Sequence, residues 1–309
     1  MTLEKRCAST DPEVRRIAIL ELADFAEDHE IPLLIAALDD PVATVRLAAA
    51  AALKAVEIEA AVCGLVQALD DPDEDVRRAA TESLTELKDP ASAVWLTPAL
   101  ASPKSAVRAS TLRALRELRA AASAVPALAL LEDADPDVRR EAVGVLAYLR
   151  HTPALPSLTQ LALEDPSEDV RRAAVGALGI GVEVSKVCVA LAAALSDESW
   201  RVREEAATTL GKAGQFADID RLLATMEDPY WQVRLRVARS LGRLGDHRAT
   251  PALISLLGHT ISNLRKEAAL ALGELRDPAA LAPLRAAAQD SDPEVRKSAR
   301  LAVNQIGVG

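Results

Sequence analysis

The chain is expected to be all-α, a right-handed α-solenoid of about ten two-helix repeats of 31–32 residues. Three observations carry this: a composition built on small apolar residues, a dipeptide that recurs at a fixed interval, and a helical apolar stripe within each interval. Half of the 309 residues are hydrophobic and only 2% are aromatic, so Ala, Leu and Val carry the apolar load. Ala and Leu are the strongest apolar helix formers, and small side chains let helices approach closely. Such a core is thin and spread along the chain.

The recurring dipeptide is Val-Arg, once Leu-Arg. It stands at Val14, Val45, Val76, Val107, Val138, Val170, Val202, Val233, Leu264 and Val295, at intervals of 31, 31, 31, 31, 32, 32, 31, 31 and 31 residues. Internal repetition at this period is the signature of a stacked array, because one unit buries too little surface to stand alone. The repeats divide as 1–27, 28–58, 59–88, 89–120, 121–151, 152–182, 183–214, 215–245, 246–276 and 277–309, a single array without linker or low-complexity stretch.

Each unit reads as two helices. In the third, Ala60 to Leu69 is an apolar helix, Asp70-Asp71-Pro72 a turn, and Asp73 to Leu87 a second helix. Asp71 is expected at the cap and Pro72 in the first turn, where each residue type is favoured. Val76, Ala80, Leu84 and Leu87 recur on one helical face, as Val233, Val237, Leu241 and Leu244 do in the eighth unit. The first unit has a stub of a first helix, Thr2 to Ala8, and the last ends near Ile306.

The pattern DPxxxVRxxAAxALGxLxD, present as DPYWQVRLRVARSLGRLGD at 228–246, resembles the short HEAT repeats of phycobilisome lyases. The resemblance covers essentially the whole chain. It implies the solenoid, with second helices lining a concave face, and a protein that holds another macromolecule.

Charge narrows the partner. With 36 basic and 46 acidic residues the chain carries a net −10. That disfavours phosphate-rich polyanions and anionic membranes, which need an excess of Lys and Arg. Three well-separated cysteines, Cys7, Cys63 and Cys188, form neither a disulfide framework nor a zinc motif. The first residues, MTLEKRCASTDPEVRR, are charged and carry no apolar leader, and a cytoplasmic setting is expected.

No catalytic residue, metal or cofactor is expected. Metal-binding HEAT-like enzymes such as deoxyhypusine hydroxylase carry several His-Glu pairs on matching repeats, whereas here His29-Glu30 is the one such dipeptide. There is no GxSxG, P-loop or GxGxxG motif.

Two columns matter more. Five residues before the repeat Val, an Asp stands in seven units: Asp40, Asp71, Asp133, Asp165, Asp197, Asp228 and Asp290. One Asp and one Arg per layer point to a ladder of ion pairs and caps that fixes the stacking. Trp200 and Trp231 lie two residues before the Val of adjacent units, with Tyr230 beside Trp231. That position is about 200° around the helix from the Val, away from the core. On the inner face the aromatics either grip a partner or cover the turn of the next unit. Arg236 and Arg239 follow along the helix of Trp231, and Arg140 and Arg172 flank the small Gly144 and Gly176. Trp, Tyr and Arg dominate interface energetics. Trp200, Tyr230, Trp231, Arg236, Arg239, Arg140 and Arg172 are therefore the candidate partner-binding residues.

The reading is a non-catalytic scaffold, a monomer, that grips a partner protein with an acidic segment. The alternative attached to the repeat is a bilin lyase-type subunit or another accessory factor for protein modification. Nucleic-acid binding, as in HEAT-like DNA glycosylases, ranks last for a chain this acidic.

Overall fold

The computed structural model of the chain describes residues 2–25 and 29–307. The chain is 76% helical, with no strand among the described residues. It forms an α-solenoid of two compact units, Met1–His151 and Thr152–Gly309. The repeat boundary expected at 27/28 lies outside the described residues.

The first unit pairs α1 (Leu3–Cys7) with α2 (Pro12–Phe25), α3 (Ile31–Ala36) with α4 (Ala43–Ala52), and α5 (Glu59–Ala68) with α6 (Glu74–Thr85). It closes with α7 (Ala93–Leu96) and α8 (Ser105–Leu118), then α9 (Ala124–Ala129) and α10 (Pro136–Tyr148). The second pairs α11 (Leu155–Glu164) with α12 (Glu168–Ala177), α13 (Ser185–Ala194) with α14 (Trp200–Leu210), and α15 (Ile219–Thr225) with α16 (Trp231–Leu244). Then come α17 (Thr250–Leu256) with α18 (Ser262–Leu275), and α19 (Leu281–Ala287) with α20 (Pro293–Gly307). In each unit successive second helices pack on one another and first helices pack on their own partners.

The stripe read from the sequence is the core. Val76, Ala80, Leu84 and Leu87 are fully buried, as are Val233, Val237 and Leu241, while Leu244 is half-buried at the helix end. The caps correct one expectation. Asp71 and Pro72 do not start the helix; α6 begins at Glu74 and is capped by Asp73, whose carboxylate accepts from the amides of Asp75 and Val76. Asp71 stands two residues earlier, where its carboxylate accepts the Asp73 N–H at 2.8 Å and is free to take a second partner. Where the order is Asp-x-Asp-Pro, as at Asp133 to Pro136, the cap Asp and first-turn Pro do fall in place, with Asp135 capping α10.

That second partner is an arginine from the preceding repeat. Arg15 holds Asp40, Arg46 holds Asp71 and Arg108 holds Asp133 in the first unit, each through Nε and Nη2. In the second unit Arg171 holds Asp197, Arg203 holds Asp228 and Arg265 holds Asp290 in the same two-pronged way. Nη1 of each guanidinium reaches back to its own turn, as from Arg46 to the Asp40 carbonyl at 2.8 Å and from Arg265 to the His259 carbonyl at 2.9 Å. One side chain thus ties two turns and fixes the offset between layers. These are charge-assisted bidentate bonds largely shielded from water, the geometry in which such pairs are strongest.

The ladder sets an acid limit. The bond from Arg265, helped by the Asp292 amide, holds the Asp290 carboxyl down at about 2. Arg15 and Arg46 likewise hold Asp40 and Asp71 below the usual aspartate range. A carboxyl depressed in the folded state stabilises the fold fully above its unfolded value, roughly 3.9, and loses that contribution as pH falls through the folded one. Helical signal followed by circular dichroism during acid titration should therefore hold from neutrality to about pH 4 and fall between roughly 4 and 2. Loss of structure already at pH 5 would show that other groups govern acid stability.

One rung is incomplete. At the ladder position His259 replaces Asp; its Nδ1 accepts the Ile261 N–H at 3.0 Å, as a carboxylate would, but it offers no carboxylate to an arginine. Nε of Arg234, the arginine whose register meets this position, is buried without a hydrogen-bond partner among the described residues. Substituting His259→Asp restores the carboxylate and should raise stability by about 1–2 kcal/mol, read from denaturant unfolding. A variant no more stable than the parent would show that Arg234 cannot adopt the geometry of its counterparts.

Candidate partner-binding site

On the second-helix face of the second unit, residues two, three and six after the repeat Val or Leu approach one another across adjacent layers. Arg236 Nε donates to Glu204 at 2.9 Å. Glu205 lies across Gly176, its Oε1 3.2 Å from where a Cβ would stand. Arg239 grips the buried Glu267 through Nε and Nη2, both at 2.7 Å. That pairing holds the Arg239 guanidinium above its ordinary range.

The aromatics sit at the helix starts. Trp200 opens α14 and Trp231 opens α16, with Tyr230 at the α16 N-cap. The ring that Trp200 meets is that of Tyr230: the two stack with centroids 5.6 Å apart and planes 12° off parallel. Arg203 stands 5.7 Å from the Tyr230 ring while its guanidinium holds Asp228, and Arg201 stands 5.8 Å from the Trp200 ring. Trp200 therefore does cover the turn of the next repeat. It also lines a groove of about 320 Å³ with Arg172, Arg201, Arg236, Glu204, Glu205 and Thr208.

The candidate residues divide accordingly. Trp200, Arg172 and Arg236 line one groove, and Tyr230 backs the Trp200 ring. Trp231 is half-buried at the start of α16 and does not line it. Arg239 is committed to Glu267. Arg140 belongs to the first unit, where it bonds Asp137 at 2.6 Å and Glu141 at 3.3 Å. The same buried Glu141 also receives Arg113 and Arg116. Arg172 differs from all of these: it is exposed and makes no ion pair among the described residues. Arg201 and Thr208 were not among the sequence candidates. Thr208 shares the repeat position of Gly176 and Arg239, so the register marked it; Arg201 follows Trp200 directly and nothing singles it out.

Among the described residues no group of three or more His, Cys, Asp and Glu could hold a metal ion, and no helix is long and apolar enough to cross a membrane. Cys188 is buried, its Sγ 3.0 Å from the Val182 carbonyl, and burial pushes its thiol up.

The HEAT-repeat family model matches residues 1–63, 62–131, 124–181, 155–229 and 219–304. The chain belongs to the HEAT-repeat family. Among solved structures, this HEAT-repeat chain is similar to Kap95p in complex with RanGDP, at 16% identity and a TM-score of 0.68, over 98% of this chain and 49% of that one. It thus spans about half the length of Kap95p. An engineered protein is similar over 99% of this chain and 98% of its own, at 22% identity and a TM-score of 0.54. YibA of Escherichia coli is similar over 97% and 98%, at 18% identity and a TM-score of 0.54. At these identities the likeness is one of fold. No curated protein matches the chain in sequence.

Proposed function

We propose that this HEAT-repeat protein is a non-catalytic scaffold that holds a partner protein on its second-helix face, with the groove beside Trp200 as the point of grip. The observation that carries the proposal is the contrast between Arg172 and its surroundings. Arg236 and Arg239 have carboxylates of their own, whereas Arg172 stands exposed at the rim of a groove floored by an aromatic ring. Kap95p, whose fold this chain shares, is seen in complexes with RanGDP and with Nup1. Within the family, the 31–32-residue period and the DPxxxVR pattern place these repeats, in our reading, with the short phycobilisome-lyase type.

The test is affinity measured beside stability. Trp200→Ala should weaken capture of the native partner by about tenfold or more, the scale of a hot-spot residue, with a smaller effect on melting temperature. Trp231→Ala, outside the groove, should leave affinity within about a factor of two. Should Trp200→Ala lower the melting temperature and leave affinity intact, covering the next turn is the whole of its role.

A further inference from the structure

The groove has a polarity that narrows what it can hold. Besides Arg172, Glu205 also makes no ion pair among the described residues, although both line the same space of about 320 Å³. A cation and an anion face one groove without meeting each other. Trp200 and Thr208 line the same groove, as does the Arg236–Glu204 pair, already satisfied at 2.9 Å. The Trp200 ring is fixed from behind by the stack on Tyr230, so it cannot fold away to fill the space.

We infer that the groove takes an extended peptide segment of the partner in which an acidic residue stands next to an aromatic or large aliphatic one and close to a basic one. The inference rests on the scaffold reading and specifies its ligand. The acidic residue supplies the carboxylate that Arg172 lacks, and a guanidinium binds it through two parallel bonds. The apolar side chain covers the Trp200 face, where a large rigid ring gives contact area at little entropic cost. The basic residue, or a backbone N–H, answers Glu205. A phosphate group fits less well, because Glu204 and Glu205 stand beside the cations and repel a second negative charge. A drug-sized apolar ligand fits poorly too, since five of the seven lining residues, Arg172, Arg201, Arg236, Glu204 and Glu205, are charged, whereas such sites are mainly hydrophobic.

Selection of a phage-displayed random dodecapeptide library on the immobilised full chain tests this directly. Enrichment of sequences with Asp or Glu adjacent to an aromatic or Leu, and a Lys or Arg nearby, is expected. A fluorescently labelled synthetic peptide of the enriched sequence should bind the parent and lose about tenfold or more in affinity to Arg172→Glu. The same substitution should change the selected acidic position to a basic one, and Glu205→Lys should change the basic position to an acidic one. Arg172 is exposed and makes no ion pair among the described residues, so the melting temperature of Arg172→Glu should not move. A consensus without an acidic residue, no consensus at all, or peptide binding indifferent to Arg172→Glu would overturn the inference. If native-partner capture still depends on Trp200 in those cases, the scaffold reading stands and only the ligand class is wrong. If capture is also indifferent to Trp200, the site itself is wrong.

Discussion

Arg171→Ala should cost the second unit about 3–5 kcal/mol, the penalty for breaking a buried ion pair by removing one partner. The Arg171 residue is only 6% exposed. It donates to Asp197 at 2.8 and 3.1 Å, to the Asp165 carbonyl at 2.9 Å and to Glu198 at 3.0 Å. Truncation leaves the Asp197 carboxylate shielded from water and short of its cation, with the Ser199 N–H at 2.8 Å as its remaining donor among the described residues. The lost bonds and the stranded charge add in the same direction, so the effect exceeds the roughly 1 kcal/mol of an ordinary hydrogen bond. The next residue supplies a control. Arg172 is exposed and unbonded, so Arg172→Ala should unfold with the parent. Denaturant titration of the two variants side by side decides the point, and an Arg171→Ala protein as stable as Arg172→Ala would show that the ladder contributes nothing to stacking.

The period, the helix pairs and the core stripe were all legible, because each is a local pattern repeated ten times and chance variation at one repeat is outvoted by the others. The Asp and Arg columns were legible as columns. What a column does not show is the layer in which its partner sits. Arg46 lies six residues from Asp40 in its own repeat, yet takes the Asp40 carbonyl there and the carboxylate of Asp71 in the next. The pairing is set by how far one layer is displaced along the next, which no single repeat encodes. The burial that raises the expected cost of losing Arg171 is hidden for the same reason. The groove was legible in part. Helical geometry turned Trp200, Arg172 and Arg236 outward, but which arginines would find carboxylates depended on neighbours in other repeats. Glu267 sits 28 residues beyond Arg239, and it withdraws Arg239 from the groove. Likewise Trp200 stacks on Tyr230 because that residue sits at the N-cap of the second helix of the following repeat.

Gly242→Ala should destabilise the second unit by about 1–3 kcal/mol, although the same change in most helices is stabilising. Inside a helix, Ala is favoured over Gly by about 0.5–1 kcal/mol because glycine has more backbone freedom to lose. At Gly242 that gain is outweighed. A Cβ there would lie 2.7 Å from the Ala271 Cα and 2.8 Å from its Cβ, with Glu274 Oε2 at 3.1 Å. The nearest of these atoms is backbone, so relief requires α16 and α18 to move apart along their whole contact. Separation would also strain the Arg239–Glu267 pair, whose two bonds of 2.7 Å bridge the same helices. Gly273 repeats the arrangement one layer on, its added Cβ lying 3.0 Å from the Ala302 Cα. Gly176 provides the contrast, since the atom it would meet is Glu205 Oε1 at 3.2 Å, the end of a flexible side chain that can swing away. Gly176→Ala should therefore be neutral or slightly stabilising, by up to about 1 kcal/mol. Opposite signs for the two substitutions, measured by denaturant unfolding under the same conditions, are the expected result. If Gly242→Ala proves as stable as Gly176→Ala, close backbone approach is not what sets the spacing of these second helices.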